Sequence, residues 1–346
     1  MGNGAKLLRT SEVAARLGVD TGTVARYIRE GTLPALATSG GHYRVYESDL
    51  DAFFSGRGPQ KGDGAVVIAI VNQQGGVGKT TATANLSVLL SQMGLRVLAV
   101  DMDPQAHLTR SLGHDPNAID YTIYSALIDD ERTLDVSKAI LATKQGPNLA
   151  PNNILASDSE EYLRAKPTWG ARLSKVLRRL RGQYDYILLD STPNLGSLTI
   201  NVLHAADFVL IPTRLEIQSV KGMQLLLRRI DEAREDNPKL QVAGAVCMMV
   251  QPSNSSRSTG QASRRMLEEI GIRPFSTVIE RSAHFGDAAN RGSALATANP
   301  RSEQTQAYRQ LLAELLRITG GPGVSRLSRL ETSDDGEAKT RHSHKQ

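Results

Sequence analysis

The chain has 346 residues, of which 40% are hydrophobic, so it exceeds one average domain and can bury at least one substantial core. Its 41 Lys and Arg against 36 Asp and Glu leave a formal charge of +5, which permits nucleic-acid or membrane contacts without requiring them. The single cysteine excludes a disulfide framework, and because no signal peptide or transmembrane-length apolar stretch is present, we expect a cytoplasmic protein without membrane contact.

Residues 1–54 contain a series of short helical segments and a hairpin. Two short amphipathic segments, opened by Thr10 and by the helix cap Asp20, are separated by a tight turn at Gly18. A glycine-tipped hairpin over 39–46 and a third helix from Ser48 follow. This order predicts a helix-turn-helix module whose second helix enters the major groove. The alternative is a protein-binding module with solvated arginines. The candidate DNA contacts are Thr21, Thr23, Arg26, Tyr27, Arg29, His42 and Arg44.

Two segments have compositions that do not support a folded core. Residues 55–64, SGRGPQKGDG, hold four glycines and a proline without an apolar residue, which is typical of a flexible linker. Residues 319–346 are polar and charged, and they are predicted to form a disordered tail. Residues 65–318 remain as a single large domain.

The large domain alternates apolar runs with segments of helical period. The runs cover 66–71, 97–100, 186–189, 208–211 and 242–250, and 81–93 is an example of a helical segment between them. This alternation predicts an α/β domain with a mostly parallel sheet flanked by helices. Cys247 lies within the last run, so we expect a buried strand thiol rather than a ligand or nucleophile.

A glycine-rich loop, NQQGGVGKTT over 72–81, follows the first run and opens a helix. Strand, glycine loop and helix in this order form a phosphate-binding loop, in which backbone N–H groups surround phosphate oxygens. Lys79 is predicted to reach the terminal phosphates and Thr80 to ligate Mg²⁺. Gln73 stands where the usual GxxxxGK[ST] pattern has its first glycine, so the loop is a deviant form. The predicted nucleotide-binding residues are Gln74, Gly75, Gly76, Val77, Gly78, Lys79, Thr80 and Thr81.

Three aspartates follow two later apolar runs. Asp101 and Asp103 come after 97–100, and Asp190 comes after 186–189. Carboxyl ends of parallel strands meet at one edge of the sheet, where ligands bind. Carboxylates there suit the waters around Mg²⁺ and the orientation of an attacking water. Each aspartate alone could be a turn former or helix cap, but their joint placement favours a catalytic site.

The motifs GGVGKTT, VLAVDMDPQAHLT and YDYILLDSTPNLGSLTINVLHAADFVLIPTRLE resemble the ParA/MinD group of deviant-Walker ATPases, specifically the ParA partition proteins, over about 66–316. The resemblance implies a P-loop NTPase fold with ATP and Mg²⁺ as cofactors. It also implies an ATP-dependent homodimer that coats nucleoid DNA non-specifically, and a ParB-like centromere-binding partner that stimulates hydrolysis. By the same resemblance, Asp103 and Lys79 are catalytic, and Asp101 and Asp190 are associated with Mg²⁺, partly through water.

Gln74 departs from that family, which has a signature lysine at this position. A neutral amide stabilises transition-state charge less than an ammonium does, so we expect slow ATP hydrolysis. Residues 1–54 in turn resemble the MerR-like, excisionase-type winged helix.

Two basic clusters in the large domain are compatible with a solvated surface or with DNA contact. One contains Lys175, Arg178, Arg179 and Arg181, and the other contains Arg257, Arg264 and Arg265. The family resemblance favours Arg264 and Arg265. Two other functions stay open: a nucleotide-switched transcriptional regulator with weak or no hydrolysis, and a MinD-like membrane-positioning ATPase, which the tail's lack of an apolar face disfavours.

Overall fold

A computed structural model of the chain describes residues 7–29, 33, 35–37, 42–47, 50, 64–128, 136–154, 159–165, 168–214, 217–251, 254–324 and 327. The N-terminal module contains β1 (Leu7–Arg9), α1 (Thr10–Leu17), α2 (Thr21–Arg29), β2 (Leu36–Ala37) and β3 (Tyr43–Tyr46). Strand β3 pairs antiparallel with both β1 and β2.

The two helices of this module begin where the sequence predicts, and α1 ends at the predicted turn. Gly18 follows α1 in the left-handed conformation, with φ 67°, which a residue without Cβ adopts readily. Asp20 caps α2 by accepting the backbone N–H of Thr23 at 3.0 Å. The module has its own small core, formed by Leu8, Val13, Ala14, Val24, Leu33, Val45 and Leu50. The hairpin tip at 38–41 and most of the predicted third helix lie outside the described residues.

The large domain contains a mixed sheet with one antiparallel edge. Within the described residues it has eight strands in the order β11-β10-β9-β4-β8-β5-β7-β6. The pairings are parallel except that of β6 with β7. The strands are β4 (Val66–Ile70), β5 (Val97–Asp101), β6 (Leu141–Ala142), β7 (Asn148–Ala150), β8 (Tyr186–Asp190), β9 (Phe208–Thr213), β10 (Gln241–Val250) and β11 (Pro274–Glu280). The predicted mostly parallel sheet is confirmed.

Helices cover both faces of this sheet. Alternate residues of β4 serve opposite cores, since Val67 and Ala69 pack in one cluster and Ile68 and Ile70 in the other. No described helix is both long and apolar enough to cross a bilayer. The helices are α3 (Lys79–Gln92), α4 (His107–Ser111), α5 (Ile123–Ile128), α6 (Ser159–Arg164), α7 (Arg172–Arg178), α8 (Ser197–Ala205), α9 (Ile217–Asp236), α10 (Asn254–Glu269), α11 (His284–Asn290), α12 (Leu295–Ala298) and α13 (Glu303–Thr319).

Helix α3 is buried on nearly every side. Even the polar side chains of Thr83, Asn85 and Ser87 are buried. The cause is tertiary, because α3 packs against the sheet and also against α4, α12 and α13. Cys247 is fully buried in β10 as expected, and this burial raises the pKa of its thiol to about 11.

The chain stays packed beyond the predicted start of the tail. Helix α13 includes Thr319, and Gly320 ends it in the left-handed conformation with φ 61°. Val324 and Leu327 then pack against the core that contains α13. The predicted boundary at 319 is therefore too early, since two apolar residues in an otherwise polar segment find a site that only the folded domain creates. Residues 328–346, and the linker before Gly64, lie outside the described residues.

This packing predicts that Leu327→Ala destabilises the large domain. Leu327 is 7% exposed, so removing its side chain should lower the free energy of unfolding by about 1.5–3 kcal/mol. The matched control is Leu225→Ala on α9, where the leucine is 47% exposed and the change should stay within about 0.5 kcal/mol. Denaturant unfolding of both variants checks this, and equal effects would contradict the packing of Leu327.

Candidate nucleotide-binding site

The candidate site lies at the carboxyl edge of the three central strands. β8 pairs in parallel with β4 on one side and with β5 on the other. In this register Asp190 stands opposite both Ile70 and Asp101. The loops that follow the three strands therefore leave the sheet together, as the sequence predicted.

The phosphate loop joins β4 to α3 and is held in a defined shape. Gly76 and Gly78 have φ values of 66° and 92°, a left-handed backbone that favours glycine. The Asn72 side chain braces the start of the loop: its amide donates to the Pro212 carbonyl at 2.6 Å, and its Oδ1 accepts the Gln74 N–H at 3.0 Å. The loop ends at the first turn of α3, where backbone N–H groups form an anion site. Gln74 to Thr81 thus occupy the predicted loop and helix start, and their contacts to a nucleotide stay a prediction.

Lys79 is a buried cation at the first position of α3. It is 7% exposed, and its Nζ donates to the Gln74 carbonyl at 3.2 Å. Burial lowers the pKa of this ammonium, while the charges of Asp190 and Asp103 oppose that shift. A neutral carbonyl compensates a buried ammonium poorly, so an anionic phosphate fits this position.

Asp190 and Asp101 form a buried pair of carboxylates at adjacent strand ends, and both are 0% exposed. Burial raises the pKa of each carboxyl, and the charge of Asp101 raises that of Asp190 further. Thr80 Oγ1 donates to Asp190 at 2.7 Å, and Thr83 Oγ1 donates to it at 3.3 Å. A divalent cation at this point would remove the repulsion between the carboxylates, so the pair and the Thr80 hydroxyl fit Mg²⁺.

This donor set is not a complete metal cage. The described residues contain no group of three or more His, Cys, Asp or Glu side chains that could hold a metal ion. Mg²⁺ usually keeps several waters and takes one or two carboxylates together with substrate phosphates. The arrangement therefore suits Mg²⁺ delivered with a nucleotide better than a permanently bound metal.

Asp101 also organises the loop after β5, a role that sequence reasoning missed. Its Oδ1 accepts the Asp103 N–H at 3.2 Å. Its Oδ2 accepts the backbone N–H of Thr109 at 2.8 Å and the Thr109 hydroxyl at 2.7 Å. The carboxylate therefore fixes both ends of a loop that carries Asp103. Thr109 lies eight residues further along the chain, and no local pattern marks it as a partner.

Asp103 lies on this loop and is 8% exposed. Its Oδ1 accepts the Gln105 N–H at 2.9 Å, which is the contact of a turn-forming aspartate. Its charge also acts on the Lys79 ammonium. The structure thus combines both interpretations of Asp103: it shapes a turn, and it stands near the predicted phosphate position.

Arg214 is a second residue that sequence reasoning missed. It follows β9, the other neighbour of β4, and its Nη2 donates to the Gly76 carbonyl at 3.1 Å. The side chains of Lys221 and Arg257, two other basic residues of the large domain, lie outside the described part of the chain.

The candidate DNA contacts of the N-terminal module lie on α2 and beside the hairpin. Thr21, Arg26 and His42 are exposed. Arg26 lies 5.6 Å from the ring centre of Tyr27, which itself packs against the module's core. The side chain of Arg29 lies outside the described residues.

Three other DNA-contact candidates have internal partners. The Thr23 hydroxyl donates to Asp20 at 2.7 Å, and Arg44 Nη1 donates to the Tyr43 carbonyl at 3.1 Å. In the large domain Arg264 donates to the Ser276 carbonyl at 2.8 Å, so it joins α10 to β11. Arg265 is exposed, which leaves it better placed than Arg264 for a phosphate contact.

Comparison with known families matches both parts of the chain. A family model described as an AAA domain matches residues 65–242, and one described as a helix-turn-helix domain matches residues 7–58.

Three bacterial relatives match most of the large domain. The uncharacterized protein Rv1708 of Mycobacterium tuberculosis is 37% identical over 76% of this chain and 80% of its own length. The sporulation initiation inhibitor protein Soj of Bacillus subtilis is 33% identical over 72% of this chain and 97% of its own. The chromosome partitioning protein ParA of Caulobacter vibrioides is 32% identical over 72% of this chain and 93% of its own.

Solved structures agree with these relatives. A cobyrinic acid a,c-diamide synthase of Mycobacterium smegmatis with a bound ATP analogue and magnesium has a TM-score of 0.64 and 31% identity, and it covers 73% of this chain and 95% of its own. The septum site-determining protein MinD of Pyrococcus horikoshii with Mg-ADP has a TM-score of 0.61 and 26% identity, and the match covers 74% of this chain and 98% of MinD.

The strand, glycine loop and helix, with carboxylates at the neighbouring strand ends, define a P-loop nucleotide-binding protein. The chain belongs to the ParA/MinD-type AAA-domain family of ATPases and carries a helix-turn-helix domain at its N-terminal end.

The position of Lys79 predicts that Lys79→Ala weakens ATP binding. Loss of a charge-assisted contact of about 2–3 kcal/mol corresponds to a roughly 30- to 150-fold higher Kd. Lys138→Ala, which removes an exposed lysine, is the matched control and should leave the Kd unchanged. Titration of each variant with a fluorescent ATP analogue and Mg²⁺ checks this, and an unaltered Kd in Lys79→Ala would remove the phosphate-loop assignment.

Proposed function

We propose that this protein is a DNA-partition ATPase, which dimerises on binding ATP and Mg²⁺ and associates with DNA of the nucleoid. The observation that carries the proposal is the cluster of Lys79, Thr80, Asp101 and Asp190 at the phosphate loop of a chain that also has a helix-turn-helix domain. Similar structures that hold an ATP analogue or ADP with magnesium support the same ligands here. Soj and the chromosome partitioning protein ParA support partition as the process.

In this proposal the residues divide the work of hydrolysis. Lys79 and the loop N–H groups hold the phosphates, while Thr80 and Asp190 would hold Mg²⁺ directly or through water. When bound there, Mg²⁺ would neutralise charge on the phosphate oxygens. Asp103 orients a water so that its oxygen bonds to the terminal phosphorus as the bond to the bridging oxygen breaks. Asp101 holds the loop of Asp103 in place through Thr109, and it stands opposite Asp190, so it would also act on Mg²⁺ held there.

The domains have separate tasks in the same proposal. Residues 1–54 read a specific DNA sequence through α2 and the hairpin, and residues 55–64 tether them to an ATPase domain that begins at residue 65 and continues at least to Leu327. The ATPase dimer binds DNA without sequence preference, with Arg265 as one phosphate contact. A ParB-like centromere-binding protein completes the system by stimulating hydrolysis.

One observation favours a second function, that of a nucleotide-switched transcriptional regulator. Gln74 carries no charge where the resembling family has a lysine, and the loop would then bind nucleotide with little turnover. Nucleotide binding would still control dimerisation and, through it, the occupancy of a DNA site by two helix-turn-helix modules.

The first experiment separates these functions by single-turnover hydrolysis. We expect the wild type to hydrolyse ATP slowly and Gln74→Lys to hydrolyse it roughly tenfold faster or more, because of the added positive charge. We expect Asp103→Ala to bind ATP with unchanged affinity but not to hydrolyse it. If Gln74→Lys does not exceed the wild type, another group already supplies the charge. If neither hydrolyses ATP with DNA and the partner present, the regulator is the better description.

The second experiment tests the N-terminal module in the full chain. Arg26→Ala or Arg44→Ala should weaken binding to the specific site by about 1–3 kcal/mol while non-specific DNA binding by the ATPase domain persists. Arg16→Ala is the matched control, because Arg16 is an arginine of the same module whose guanidinium pairs with Glu47 at 2.5 Å. Footprinting without nucleotide measures this, and a wild type without sequence preference would favour the protein-binding alternative.

A further inference from the structure

We propose that Arg214 is a second phosphate-binding cation of this site. Arg214 follows β9, which pairs with β4 on the side opposite β8. The proposal rests on the proposed function, since it requires that the loop binds a nucleotide. It assigns a ligand contact to a residue to which the sequence analysis gives no role.

The sheet order brings Arg214 to the loop. β4 pairs in parallel with β9, and Ile70 at the end of β4 stands opposite Leu210. β9 continues three residues further to Thr213, so Arg214 emerges beyond the edge at which the phosphate loop begins. The two partners, Gly76 and Arg214, are 138 residues apart in the chain and meet only because these strands are neighbours.

In the described part of the chain, the contact between Arg214 and the loop is accompanied by two other side-chain hydrogen bonds from the loop to the segment around β9. Asn72 donates to the Pro212 carbonyl, and Gln73 donates to the Gly222 carbonyl at the start of α9. In the third contact Arg214 Nη2 donates to the Gly76 carbonyl at 3.1 Å, and a Cβ added at Gly76 would lie 3.6 Å from the same nitrogen. The first two contacts are between neutral groups, whereas Arg214 brings a charge. Its guanidinium is thus held against the loop whose N–H groups face the phosphates.

The chemistry of a guanidinium suits this position. It stays protonated at physiological pH and has five N–H donors in a planar fork, so it can donate to a carbonyl and to a phosphate oxygen at once. A nucleoside triphosphate with one Mg²⁺ carries more negative charge than Lys79 neutralises. Gln74 adds no charge to the loop. Arg214 places a further positive charge in direct hydrogen-bond contact with that loop.

A tether without phosphate contact would produce the same hydrogen bond to Gly76, and two substitutions separate the roles. Arg214→Gln keeps N–H donors for the carbonyl but removes the charge. Arg214→Lys keeps the charge but loses the planar fork. A phosphate-binding cation predicts that the lysine variant binds ATP better than the glutamine variant, whereas a tether predicts no advantage of lysine over glutamine.

The test is a titration of the full chain with a fluorescent ATP analogue and with the ADP analogue, each with Mg²⁺. We expect Arg214→Gln to raise the Kd for the ATP analogue about tenfold, which corresponds to about 1.4 kcal/mol, and to raise the Kd for the ADP analogue less. We expect the Kd values of Arg214→Lys to stay within about threefold of those of the wild type. Arg228→Gln, which removes an exposed arginine of α9, is the matched control and should change neither Kd. Thermal unfolding of each variant verifies that it is folded.

The outcomes separate this proposal from the proposed function. If the wild type binds ATP and Arg214→Gln binds it as well as the wild type does, or at least as well as Arg214→Lys does, Arg214 is a tether and only this proposal is overturned. If Arg214→Gln does not fold, Arg214→Lys decides, because a Kd more than tenfold above that of the wild type would overturn a role that rests on charge. A wild type that does not bind ATP would overturn both proposals.

Discussion

Asp101 and Asp190 lie side by side and fully buried at the ends of two adjacent strands, and the rest of the site is arranged around this pair. Two ionised carboxylates in one buried place repel each other and lose their hydration, which is why burial raises the pKa of both. Hydroxyl and backbone donors reduce that cost in the protein, since Thr80 and Thr83 donate to Asp190 and Thr109 donates to Asp101. Mg²⁺, which the proposed function requires, would offset the remaining repulsion between the two carboxylates.

The same pair connects chemistry to loop structure. Asp190 holds the Thr80 hydroxyl at the start of α3, and Asp101 holds the backbone of Asp103 and Thr109. On the opposite side, contacts with the segment around β9 fasten the phosphate loop. The loops are therefore held by contacts with residues at the ends of β5 and β8 on one side and with the segment around β9 on the other. A site held in this way is organised before its ligand arrives.

The N-terminal module has its own small core, and its candidate DNA contacts are side chains around that core. Arginines are candidate DNA contacts both in this module and on α10. Residue type alone therefore does not distinguish a side chain that is exposed to solvent from one that bonds to another part of the protein. Hydrogen-bond partners do separate them: Thr23 serves the cap of α2 and Arg264 serves the contact between α10 and β11, whereas Arg26 and Arg265 are exposed.

The sequence by itself determined the fold class, the central strands, the phosphate loop and its three acidic neighbours, because apolar runs and glycine spacing are local patterns that act wherever they occur. It did not predict β6 and β7, which are two and three residues long, or β11, an edge strand whose burial partly alternates. It also missed the packing of Leu327 and the position of Arg214. Only the tertiary structure decided these, since each depends on partners far away in the chain that become neighbours when the sheet sets the order of its strands.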